Sequence, residues 1–326
     1  MTSKGQLADK ARRNFLAKAT GVTAAVAAPG VLLQTVATAK PRETAVTDDV
    51  RYGMLIDTTK CADGCTDCVT ACEQENGLDM LVKPEGASDA LWDMQRPRWI
   101  RSVKLKKNLT GRITSLPMMC QHCENPPCVD VCPTGASYKR EEDGIVLVDE
   151  DRCRGYRFCM EACPYKKIYF NHITKVAQKC IFCFPRIEKQ VVTACTRQCP
   201  GRLRFVGYRD DPNAPIYKLV DQWKAAIPLH PDFGTEPNVF YVPPLAPPRF
   251  DENGEIDESQ PRIPDEYLIY LFGPVVLETL EILKAEMAKT RAGEKSELMD
   301  LLIGYRWTEM FPGFDRDPAT IEWKGV

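Results

Sequence analysis

Cys153-Arg154-Gly155-Tyr156-Arg157-Phe158-Cys159-Met160-Glu161-Ala162-Cys163-Pro164 sets the architecture of this chain. Its thiols are spaced Cys153-x2-Tyr156-x2-Cys159-x3-Cys163-Pro164, with an aromatic residue where the rhythm asks for a cysteine. The same rhythm recurs in Cys120-x2-Cys123-x4-Cys128-x3-Cys132-Pro133 and in Cys180-x2-Cys183-x11-Cys195-x3-Cys199-Pro200. Nearer the N-terminus it recurs once more, in Cys61-x3-Cys65-x2-Cys68-x3-Cys72. All 15 cysteines of the 326-residue chain fall in these four clumps. A thiolate every three or four residues lets a short loop wrap one iron–sulfur cube, while the last cysteine of the run reaches a neighbouring cluster. Zinc also takes paired cysteines. Fourfold repetition of this spacing with Cys-Pro endings favours iron–sulfur clusters instead.

Composition is that of an ordinary globular protein, 44% hydrophobic and 27% charged, with a net charge of −2. The near-neutral total hides a split. From Arg152 to Arg209 there are 13 Lys/Arg against two acids, Glu161 and Glu188, whereas from Asp211 to Val326 there are 11 basic and 21 acidic residues. The basic stretch carries seven cysteines, and thiolate-held clusters are anionic, so local charge compensation accounts for it. Such cations raise a cluster's reduction potential. No basic cluster is interleaved with a nucleic-acid reading motif, which sets nucleic-acid binding aside.

Residues 1–39 read as a targeting signal. Ala11-Arg12-Arg13-Asn14-Phe15-Leu16-Ala17-Lys18 is a twin-arginine pattern, followed by a weakly apolar stretch to Val36 and by Ala37-Thr38-Ala39, an A-x-A cleavage site. Some 18 mostly small residues are marginal for a bilayer span, and no other segment is long and apolar enough, so the mature chain is expected to have no transmembrane segment. The expected location is the periplasm. That compartment drives free thiols toward disulfides, so clusters must be inserted first and the folded protein exported whole by the twin-arginine pathway.

A polar linker, 40–49, precedes a strand at Arg51–Asp57 that leads into the first cysteine loop. A short helix is expected over Val69–Asn76, a surface insertion over 77–97, strands over Arg98–Leu105 and Arg112–Leu116 with a turn at Asn108–Gly111, and further strands over Gly144–Val148 and Ile168–Ile173. Residues 241–264 are proline-rich and read as extended, polyproline-like chain. Apolar periodicity predicts a helix from Pro274 to Thr290, with Val276, Leu277, Leu280, Leu283 and Met287 on one face, and a second over Lys295–Ile303.

The repeated unit of strand, cysteine loop and short helix resembles the bacterial ferredoxin half-unit. The resemblance implies an α+β fold of two ferredoxin-like di-cluster modules, with an insertion and a mostly helical and extended C-terminal tail. The expected divisions are 50–117 for the first half, 118–178 for the inner module, 179–209 for the motif that completes the first module, and 210–326 for a partner-wrapping extension. In that symmetry the first three cysteines of one motif share a cluster with the last of its partner. If the outer motifs pair, Cys61, Cys65, Cys68 and Cys199 hold one 4Fe–4S cluster, and Cys180, Cys183, Cys195 and Cys72 a second. The inner motifs give Cys120, Cys123, Cys128 and Cys163 a third, which leaves Cys132, Cys153 and Cys159 for a fourth. With Tyr156 at the missing position, that site is expected to hold 3Fe–4S; a phenolate ligand from Tyr156 is the alternative. The thiolate count makes outer-sphere or surface roles the expectation for His122 and His172, and a structural one for His230.

The stretch from Arg152 to Lys167 resembles the third cysteine motif in the iron–sulfur (beta) subunit of respiratory nitrate reductase, a member of the molybdenum bis-pterin oxidoreductase family, where a bulky Trp stands at the position of Tyr156. Lys179-Cys180-Ile181-Phe182-Cys183-Phe184-Pro185-Arg186-Ile187-Glu188 is similar to the fourth motif of that subunit, and Pro228-Leu229-His230-Pro231 through Leu245 also matches. The wider group includes beta subunits of dimethyl sulfide, ethylbenzene, selenate and chlorate oxidoreductases. The resemblance spans roughly residues 50–245 and implies an electron wire, not itself catalytic. The wire would run between a molybdopterin catalytic subunit and a haem b or quinone-reactive membrane subunit. It also implies that the cluster on Cys61, Cys65, Cys68 and Cys199 faces the catalytic subunit and the 3Fe–4S cluster the haem side. Two features depart from the family. Ala62-Asp63-Gly64 adds a residue to the first loop, and the chain carries its own signal. The signal points to an alternative partner set, a polytopic quinone-reactive protein as in tetrathionate or polysulfide reductase-like complexes. A catalytic role of its own finds no acid–base pair or nucleophile beside the cysteines.

Overall fold

Tyr52–Asp57 is buried along its whole length and forms strand β1. A strand covered on both faces belongs inside a sheet, and β1 lies there, in a four-stranded sheet of order β8-β1-β10-β9. Here β8 is Arg204–Tyr208, β9 Ile227–Pro228 and β10 Val239–Val242. In this computed structural model the described residues are 51–106, 113–189, 191–245, 249–250, 256–257 and 263–304. The residues read as a targeting signal, as a polar linker and as a turn at 108–111 lie outside them, as do the chain beyond 304 and much of the proline-rich stretch.

β1 runs antiparallel to β8, with Met54 opposite Val206, and parallel to β10, with Met54 opposite Val239. The start of the stretch read as polyproline-like is therefore strand: Tyr241 and Val242 are fully buried in β10, and the Thr58 hydroxyl donates to Val242 O at 2.6 Å. Leu55, Phe205 and Tyr241 have no exposed surface. Burying each such side chain contributes about 1.5–3 kcal/mol.

Three antiparallel hairpins carry the cysteine loops. They are β2 (Arg101–Lys106) with β3 (Ile113–Met118), β4 (Ser137–Lys139) with β5 (Val146–Val148), and β6 (Ile168–Asn171) with β7 (Val176–Lys179). The short helices that follow the loops pack in two pairs. Asp67–Glu75 rests on Ala194–Arg197, and Pro127–Asp130 on Phe158–Ala162. First and fourth motifs are thus joined, as are second and third. Residues 77–97 lie outside this frame, with Met80, Val82 and Met94 exposed and a short helix at Asp89–Gln95.

Three helices end the described chain: Asp265–Phe272, Val275–Arg291 and Glu297–Gly304. The first was not anticipated. In the second, Val276, Thr279, Leu280 and Leu283 form the buried face, while Leu277 points outward, 40% exposed. The i, i+4, i+7 series from Val276 sets the stripe, and Leu277 falls beside it. The last helix folds back toward the first loop, where Lys60 Nζ donates to Leu302 O at 3.1 Å.

Candidate iron–sulfur centres

One backbone device recurs in all four loops. The residue before the second ligand position is left-handed each time: Gly64 (φ 76°), His122 (φ 44°), Gly155 (φ 69°) and Phe182 (φ 57°). Such a residue turns successive N–H groups to one side, making a concavity suited to an anion, a construction common at iron–sulfur sites. Three of the runs also close alike. Gly135, Lys166 and Arg202 are left-handed, and each donates its N–H to the carbonyl of the cysteine three residues before it, at 3.1 Å. The loops are structural repeats. Tyr156 occupies the same backbone position as Cys65, Cys123 and Cys183.

Cys61, Cys65, Cys68 and Cys199 line one cavity of about 80 Å³ with Arg204. Burial, and then the thiol of Cys68, push Cys61 up to about 11. The extra residue of this loop is absorbed in a turn, where Cys65 N–H meets Ala62 O at 3.4 Å and nothing stands within 4 Å of a Cβ built on Gly64. Cys72, Cys180, Cys183 and Cys195 line a second, tighter cavity of about 10 Å³. Burial pushes Cys72 far up, with Cys180, Cys195 and Cys183 adding to it. Thiol donors converge while burial and mutual repulsion oppose their ionisation, an arrangement that calls for a cationic centre.

The inner motifs bring together Cys120, Cys123, Cys128 and Cys163. Cys123 is pushed up to about 12, first by burial and then by Cys120, with Cys128 and Cys163 contributing. The remaining thiols, Cys132, Cys153 and Cys159, also meet. Burial raises Cys159 to about 11, and Cys153 and Cys132 add to the rise. For Cys132, burial is outweighed by hydrogen bonds from Ser137 N–H (3.4 Å) and from Thr134, and its net shift is downward. Cys153 accepts from Ala177 N–H at 3.4 Å, and Cys199 from Leu203 N–H at 3.4 Å. Tyr156 stands at the rim of the three-thiol group, 59% exposed, its ring stacked on Phe158 with centroids 6.1 Å apart. Its loop admits no other residue at 155, since a Cβ there would stand 2.6 Å from Lys175 O.

Residues 112–209, which hold all three of the later motifs, match the 4Fe-4S dicluster domain family. Whole-chain relatives extend the likeness. Selenate reductase subunit beta of Thauera selenatis is 59% identical over 236 residues, 71% of each chain. Chlorate reductase subunit beta of Ideonella dechloratans is 59% identical over 233 residues, 71% of this chain and 69% of that one. The chain belongs to this family of iron–sulfur beta subunits. Dimethylsulfide dehydrogenase subunit beta of Rhodovulum sulfidophilum is 60% identical over 196 residues, and this chain spans 60% of its length.

In the beta subunit, His122, which lies in sequence between Cys120 and Cys123, is buried, its ring edge-on to Phe182 with centroids 5.0 Å apart. Its Nδ1 accepts Val146 N–H at 3.2 Å, and burial holds it well below the usual imidazole range, hence neutral. His172 is exposed against Phe170, and His230 stacks its ring on Phe233 at 4.5 Å while its backbone N–H donates to Leu271 O at 2.8 Å. Among the described residues no three His, Cys, Asp or Glu side chains are placed to hold a single metal ion. The spacing of the cysteines hid two further residues of the site, the buried cations Arg204 and Lys179. A basic residue within an apolar strand next to a cysteine run is the sequence signal for both.

Proposed function

We propose that the beta subunit relays single electrons through four clusters in line, three 4Fe–4S and one 3Fe–4S, between a molybdenum bis-pterin catalytic subunit and a haem b or quinone-reactive subunit. The observation that carries this is the partition of the 15 cysteines into three groups of four neighbouring thiols and one of three. Cys61, Cys65, Cys68 and Cys199 would hold the first cluster, and Cys72, Cys180, Cys183 and Cys195 the second. The third would rest on Cys120, Cys123, Cys128 and Cys163, and the last on Cys132, Cys153 and Cys159. When bound, such clusters supply one-electron redox chemistry.

The protein's part is to hold the thiolates close in sequence and to link the groups. Cys68 and Cys72 share the helix Asp67–Glu75, so one helical turn joins the first and second groups. Cys128 and Cys132 join the third and fourth in the same way, across the end of the helix Pro127–Asp130. The thiols of Cys120 and Cys180 interact across the middle. The line ends at the exposed rim around Tyr156 and Phe158, which suits it for the haem-side subunit; the first cavity suits the catalytic one. Helix pairing supports a first module of 50–117 with 179–209 and an inner module of 118–178; 210–326 would cover and contact partners. Among the described residues no helix is long and apolar enough to cross a membrane.

Export in folded form to the periplasm follows from Arg12-Arg13 and from the thiol count. That signal on the chain itself favours, as a second arrangement, a polytopic quinone-reactive membrane partner. The deciding experiment is electron paramagnetic resonance of the oxidised protein. Wild type should give a three-iron signal, and Tyr156→Cys should remove it by completing a four-iron site. An oxidised wild type silent in that region would refute the fourth assignment.

A further inference from the structure

Two cations are buried among the thiols. Arg204, at the start of β8, is 1% exposed. Its Nη2 donates to Cys68 Sγ at 3.5 Å, and its Nη1 lies 3.8 Å from Cys195 Sγ, 3.4 Å from Met54 Sδ and 3.6 Å from Met119 Sδ. One guanidinium thus touches a thiol of the first group and a thiol of the second. Lys179, at the end of β7, is also 1% exposed. Its Nζ donates to Cys180 O at 3.1 Å, to Val146 O, and to Cys120 Sγ at 3.6 Å. Three acceptors meet the three hydrogens of an ammonium. The lysine stands where the second group, through Cys180, meets the third, through Cys120.

A fixed charge in a poorly polarisable interior acts far more strongly than one in water. Burial costs each cation several kcal/mol unless partners compensate. Neutral thioethers and carbonyls compensate weakly; anionic thiolates bearing a reducible cluster compensate well, and better once an electron arrives.

Resting on the cluster assignment above, we infer that Arg204 and Lys179 set the reduction potentials of the clusters at two successive junctions. Arg204 raises the first and second, and Lys179 the second and third. The second cluster lies beside both cations, whose contacts are with thiols and carbonyls of the first three groups.

Redox titration of the cluster-loaded full chain, followed by electron paramagnetic resonance, tests this. Arg204→Gln should lower two four-iron midpoints by a factor of ten or more in the reduction constant, about 59 mV for one electron, and leave the three-iron midpoint in place. Lys179→Gln should also lower two, one of them shared with Arg204→Gln. Arg204→Lys, which keeps the charge, should stay near wild type. Loaded Gln variants with unmoved midpoints overturn the inference, as does Arg204→Lys shifting as far as Arg204→Gln. If Arg204→Gln loses clusters, a loaded Arg204→Lys near wild type supports it, and loss in both assigns Arg204 to packing and overturns its part. A wild type without cluster signals would instead remove the functional reading itself.

Discussion

The outer pair of motifs and the inner pair use the same loop, yet they live in different surroundings. The outer pair is assembled from distant parts of the chain, held by the pairing of the edge strand β8 with the inner strand β1 and by Arg204 between its thiols. The inner pair is built from consecutive hairpins and ends at the surface, with Cys132 and Cys153 half-buried and Tyr156 and Phe158 exposed. What differs is not how a cluster would be wrapped but what surrounds it. Between the outer thiols a buried cation is available to set a cluster's properties; at Cys132 and Cys153 backbone N–H donors stand beside the sulfurs. The thiols at the two ends are alike half-buried, Cys61, Cys65, Cys68 and Cys199 at one and Cys132 and Cys153 at the other, so the termini differ in the cation beside them and not in burial.

The comparison breaks first at Phe205. It is fully buried in β8 beneath the outer pair. Phe205→Ala should cost about 3–5 kcal/mol, seen as a lower denaturant midpoint, with the outer clusters bleaching before the inner ones. Simultaneous bleaching would mean that the two pairs do not differ in how they depend on the sheet. Gly155→Ala comes next. The left-handed backbone and the 2.6 Å approach to Lys175 O admit no Cβ, so strain of about 1–3 kcal/mol is expected. It should appear as a changed three-iron line shape with the four-iron spectra intact; an unaltered line shape would argue that the loop is not a template. The smallest effect belongs to Phe158→Ala at the exposed rim, within about 0.5 kcal/mol of wild type. A larger loss in the isolated chain would show that the rim is packed.

Sequence carried the local geometry well and the long-range geometry poorly. The spacing of Cys153, Cys159 and Cys163 marked a loop and a helical turn, and both are present at Phe158–Ala162. The helix Val275–Arg291 was legible from its apolar period, although Leu277 fell off the buried face. By contrast, the parallel pairing of Met54 with Val239 joins segments far apart in the chain. Pro243 and Pro244 beside β10 masked a strand that is fully buried. The left-handed turns at His122 and Phe182 were invisible because neither residue is Gly or Asn; only the loop's need for inward N–H groups places them there. The basic stretch foretold charge compensation as a total. It took the fold to single out Arg204 and Lys179 as the cations turned inward.

The x3 spacing between the last two thiols is identical in all four motifs, at 68–72, 128–132, 159–163 and 195–199, while the earlier spacings vary. Each invariant step begins in a short helix, where one residue more or less would swing a side chain by about 100°. That step is the rotational phase of the wire, and it tolerates no slippage. The preceding loop has no such phase to keep, and it can lengthen freely toward solvent. The added residue at Ala62-Asp63-Gly64 sits on the side of Cys65 where chain length is free to drift.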